Sequence, residues 1–103
     1  MKSSIINPTV DKDYLIGVFR ELLLISNKIT TGNYVHQINE LRWVAKFSQG
    51  KIKSQLGEID IYNNLQTIID ITDKVFASNL EYNLNTIKGI CKRSIAYLKE
   101  FGI

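Results

Sequence analysis

Three small groups of side chains have the types and spacing that chemistry needs. His36 and Glu40 stand four residues apart; on a helix they share a face, as an acid/base pair or half of a metal site. A metal would need further ligands, and the chain has no second His and no Glu-x-x-His segment. Asp70 and Asp73 are three apart and could hold Mg²⁺ or divide acid and base roles. No Gly-rich phosphate loop accompanies them, and Lys74 is a ready helix-surface ion-pair partner for Asp70. Cys91 precedes Lys92 and Arg93, whose charge would lower the pKa of an exposed thiol. Its spacing from Ile87, Ile90, Ile95 and Leu98 is apolar, however, so the expected state is buried and inert. No group completes a catalytic set. The expectation is a non-enzyme with no metal and no cofactor.

Binding features are more prominent than catalytic ones. The run Arg42-Trp43-Val44-Ala45-Lys46-Phe47, followed by Lys51 and Lys53, interleaves basic and aromatic residues. That mixture suits a protein interface, where Trp, Tyr and Arg are the enriched anchors. It also suits phosphate neutralisation with base stacking. The interface candidates are therefore Arg42, Trp43, Lys46, Lys51 and Lys53. A second basic set, Lys88, Lys92, Arg93 and Lys99, reads as one face of a helix. Stretches 42–53 and 88–99 hold no acid, whereas Glu58, Asp60, Asp70 and Asp73 lie in a span without a base.

The elements that position these residues are helices. Leu15, Val18/Phe19, Leu22, Ile25 and Ile29 advance by three and four, which predicts a first helix ending before Gly32. Asn7 with Pro8, or Thr9, is the expected cap, and Asp11 and Asp13 complement the positive helix end. A second helix is predicted from Tyr34 to about Gln49, with Ile38, Leu41, Val44/Ala45 and Phe47/Ser48 inward and Gly50 as its stop. Residues 51–61 read as a loop or short turn. Helical spacing returns from Asp60 to Ala77 through Tyr62/Leu65, Ile68/Ile69, Thr72 and Val75/Phe76. Ser78-Asn79-Leu80-Glu81 matches a capping box for a last helix with Leu80, Leu84, Ile87, Cys91, Ser94/Ile95, Leu98 and Phe101 on one face. Trp43 falls about 160° from Ala45 at about 100° per residue, so its ring is expected to be partly exposed.

Four amphipathic segments with short connections predict an all-α fold: a single-domain antiparallel up-down-up-down four-helix bundle over 1–103. The acidic third helix and basic fourth helix would lie side by side. No internal repeat is legible. The 103 residues carry 13 Lys plus Arg against 10 Asp plus Glu, and 45% belong to the apolar set, which excludes disorder. One Cys excludes a disulfide framework. No apolar run approaches the roughly 20 residues of a membrane span, and Met1–Pro8 lacks a signal-peptide core. A cytoplasmic location is expected.

In size, four-helix reading, basic pI and cytosolic character the chain is similar to bacteriocin immunity proteins and small phage-encoded inhibitors of host proteins. The likeness is one of architecture and no motif carries it. The expected function is protein–protein binding, as an inhibitor, immunity-type or adaptor protein, with room for a homo-oligomer. The alternative is a nucleic-acid-binding accessory protein using the two basic stretches, with weak, non-specific affinity.

Overall fold

A computed structural model describes residues 9–103; the expected cap at Asn7 and Pro8 lies outside them. The chain forms helices α1 (Lys12–Asn27), α2 (Tyr34–Leu56), α3 (Asp60–Thr72) and α4 (Leu80–Phe101), with a 3-10 turn at Ala77–Asn79 and no strand among the described residues. Asp11 caps α1, its side chain accepting from the Tyr14 N–H at 2.8 Å. None of the helices is long and apolar enough to cross a membrane.

Sequential helices run antiparallel in a ring. Arg42 and Gln49 of α2 meet Thr72 and Gln66 of α3, and Asn64 of α3 meets Ser94 of α4. Gln55 of α2 accepts from the Val10 N–H just ahead of α1. Ile29, beyond the end of α1, shares a groove with Leu80 and Leu84 of α4. Phe19, Leu22, Leu41, Ile52, Leu65, Ile68, Ile87 and Leu98 form the fully buried centre. Leu84 and Ile87 face inward as the periodicity requires.

Helix α2 does not stop at Gly50. It continues to Leu56, so residues 51–56 are helix and only 57–59 form the turn before α3. A mid-helix Gly costs about 1 kcal/mol relative to Ala. Burying Ile52 completely returns roughly 1.5–3 kcal/mol, so burial wins. The true stop is Gly57, whose φ of 81° lies in the left-handed region that other residues rarely adopt.

The turns into α2 and α4 share one design. The Asn33 side chain accepts from the Thr30 N–H at 2.8 Å and donates to the Lys28 carbonyl at 3.0 Å. Asn79 does the same with the Phe76 N–H at 2.7 Å and the Lys74 carbonyl at 2.9 Å. Asn79, not Ser78, therefore organises the start of α4; Ser78 is exposed.

This equivalence extends through the fold. A shift of 46 positions, the one that carries Asn33 onto Asn79, carries α1 onto α3 and α2 onto α4. It pairs buried Leu15 with Ile61, Phe19 with Leu65, Leu22 with Ile68, Ser26 with Thr72, Leu41 with Ile87, Ala45 with Cys91, Ser48 with Ser94 and Ile52 with Leu98. Large residues meet large ones and small residues meet small ones at every pair. The bundle is thus two helical hairpins of one pattern, a structural repeat that the sequence reading missed. The packing obeys the same symmetry: the α1–α4 and α2–α3 seams are the extensive ones, the α1–α2 and α3–α4 seams the slighter ones.

Candidate functional site

The outward face of α2 carries a stacked pair of exposed aromatic rings. Trp43 is 63% exposed and Phe47 is 50% exposed. Their rings stack at 5.1 Å between centroids with an interplanar angle of 11°. One turn on, the Lys51 ammonium lies 5.0 Å from the Phe47 ring centroid and 5.9 Å from that of Tyr14 on α1. A Trp–Phe–Lys ladder at i, i+4 and i+8 results, held flat by stacking and cation–π attraction. Trp43 is exposed as its helical angle requires. Phe47, expected to flank the core, joins Trp43 in solvent instead, because the inward positions at its level belong to Ser48 and Gln49.

The repeat places other residues at the positions of this cluster. Gly89 and Arg93 of α4 occupy the positions equivalent to Trp43 and Phe47. Helix α4 carries its exposed aromatic pair elsewhere, at Tyr97 and Phe101 in the positions of Lys51 and Gln55, with centroids 5.1 Å apart and planes tilted by 45°.

The other interface candidates separate. Arg42 turns toward α3: its Nε donates to Thr72 Oγ1 at 2.9 Å, and Nη2 donates to the Thr72 carbonyl at 3.1 Å. Nη2 also lies 3.2 Å from an Asp73 carboxylate oxygen. Arg42 thus closes the C-terminal end of α3, where a cation meets orphan carbonyls and the negative helix end. Lys53 pairs with Glu58 at 3.3 Å across the Gly57 turn, and Lys46 is exposed beside Trp43. In the basic set of α4, Lys92 and Lys99 are exposed and Arg93 stands aside from the line of Lys88, Lys92 and Lys99. Lys88 lines a groove toward α1, whereas Arg93 lines one toward α3 with Asp60. Both ion pairs among the described residues are made with α2 or its C-terminal turn, so the acids of α3 do not pair with the bases of α4.

The catalytic candidates are placed as follows. His36 and Glu40 are exposed, and no group of three or more metal-ligating side chains forms among the described residues. Asp70 accepts from Gln66 Nε2 at 3.0 Å rather than pairing with Lys74. Asp73 sits at the end of α3, not mid-helix, and pairs with Arg42. Cys91 is buried, and that burial pushes its thiol up to about 12, so it stays protonated near neutrality.

A groove of about 700 Å³ between α3 and α4 is lined by Asp60, Asn64, Thr86, Arg93, Ser94 and Tyr97 among others. An Asn64–Ser94 hydrogen bond of 3.1 Å crosses between its two helices. Comparison with protein-family models, curated proteins and solved structures found no match.

Proposed function

We propose that this chain is a non-enzymatic binding module of the cytoplasm that acts by protein–protein contact, as an inhibitor, immunity-type or adaptor protein. Its contact surface is the outward face of α2. The observation that carries this reading is the stacked Trp43–Phe47 pair, exposed at the centre of that face and extended by Lys51 over the Phe47 ring. Exposing two stacked aromatics costs hydration free energy, and such clusters anchor interfaces when a partner covers them.

The nucleic-acid alternative has less support from the geometry. Arg42 and Lys53 are engaged in ion pairs, Lys51 lies over two rings, and on α4 Arg93 lines a different groove from Lys88. A phosphate track needs its cations on one surface. The test is capture of partners by full-length chain and by Trp43→Ala, each with nuclease treatment and in high salt. Protein capture that survives both treatments and is lost in Trp43→Ala supports the reading. Capture abolished by nuclease, or unchanged in Trp43→Ala, overturns it.

A further inference from the structure

The outward face of α2 has a pattern that identifies a partner. His36, Glu40, Trp43, Phe47, Gly50 and Ser54 recur at spacings of four and three, and all six are exposed. Those are the spacings of the seam of a two-stranded coiled coil. The seam is also symmetric about position 45. Turning it end for end sets Trp43 against Phe47, Glu40 against Gly50 and His36 against Ser54, bulky against small at both ends.

We propose that two copies of this chain form a dimer by laying their α2 helices antiparallel across a two-fold axis at position 45. The proposal rests on the reading of this face as a contact surface and names its occupant. The four central aromatic rings, two from each copy, would interleave. A Cβ built at Gly50 meets nothing within 4 Å, so the helix surface there is open to the Glu40 side chain of the other copy. In this register Glu40 of one copy also lies level with Lys51 of the other, on the same flank of the seam. The two-fold axis makes two such acid–base contacts. Lys46 falls beside the axis and meets its own copy, a single like-charge contact. At 23 residues α2 is the longest helix, about 34 Å, which gives the seam five to six turns of overlap. The equivalent seam on α4 has Gly89 and Arg93 at its centre, so only α2 pairs, and the assembly closes as a dimer instead of growing into a chain.

Sedimentation of the full-length chain from about 1 µM to about 1 mM tests this directly. The wild type should pass from monomer to dimer within that range. Trp43→Ala removes one central anchor from each copy and should raise the dissociation constant about a thousandfold, thirtyfold for each anchor lost. Glu40→Lys should weaken the dimer, and adding Lys51→Glu to it should restore part of the loss; Lys46→Ala should tighten it. Far-ultraviolet circular dichroism of each variant confirms that the bundle is retained. A wild type that stays monomeric at 1 mM overturns the dimer. The capture experiment on a different partner then decides the broader reading by itself. A dimer indifferent to Trp43→Ala, or a double charge swap no tighter than Glu40→Lys alone, overturns the antiparallel α2 seam.

Discussion

Removing the Arg42 side chain should destabilise the bundle without changing its contact face. Arg42 donates to the Thr72 hydroxyl and to the Thr72 carbonyl, and it pairs with Asp73. The side chain is 28% exposed, so these bonds are partly shielded, whereas Asp73 is 61% exposed. A hydrogen bond to a charged group contributes about 1.5–3 kcal/mol, and an exposed ion pair contributes about 0–1 kcal/mol. Arg42→Ala should therefore cost about 2–3 kcal/mol in urea unfolding, and Asp73→Ala no more than about 1 kcal/mol. Arg42→Lys keeps the charge but loses the planar fork that spans hydroxyl and carbonyl, so it should recover only a minority of the loss. The same variants should leave binding at the α2 face intact. An Arg42→Ala cost below about 0.5 kcal/mol, or one matched by Asp73→Ala, would refute the clamp on the end of α3.

Three further outcomes follow from the packing. Leu84→Ala should cost about 2–5 kcal/mol by lost transfer energy and cavity formation, read from the denaturation midpoint. Asn79→Ala should cost about 0.5–2 kcal/mol while Ser78→Ala is near neutral, because the side chain of Asn79 makes both turn hydrogen bonds. Cys91 has its folded pKa raised from 9.0 to about 12, so its contribution to stability is fully present below pH 9 and is lost as pH rises toward 12. Cys91→Ala should flatten that alkaline decline, and in the native protein the thiol should react with a disulfide reagent only as the bundle opens.

The strongly periodic helices were legible because burial dominates them. The Leu15–Leu22 and Leu84–Leu98 stripes fall inward as their spacing requires. Gly50 misleads because the helical spacing of Ile52, Leu56 and Ile59 competes with the strand-like alternation of 58–62, and only the complete burial of Ile52 decides for helix. Ser78-x-x-Glu81 has the form of a capping box, yet a 3-10 turn intervenes and hands the role to Asn79. The signal that would have found this is the Lys-to-Asn spacing of Lys28/Asn33 and Lys74/Asn79. The repeat itself was hidden because its core pairs exchange Leu, Ile and Phe, which preserves burial and destroys identity. In the candidate site, the exposure of Trp43 followed from helical angle alone. The role of Arg42 did not, since a 100° step from Trp43 turns it onto α3, and only the packed bundle shows what waits there.

Trp43 is the sole tryptophan, so intrinsic fluorescence reads the contact face with no label. The most direct measurement is its emission maximum and acrylamide quenching in the native full-length chain, followed on dilution and on addition of a captured partner. The account predicts red-shifted, readily quenched emission in the dilute folded protein, and a blue shift with loss of quenching when the face is covered. Blue, quench-protected emission at every dilution, unchanged by concentration or partner, would make Trp43 a core residue and contradict the assignment of this face to binding.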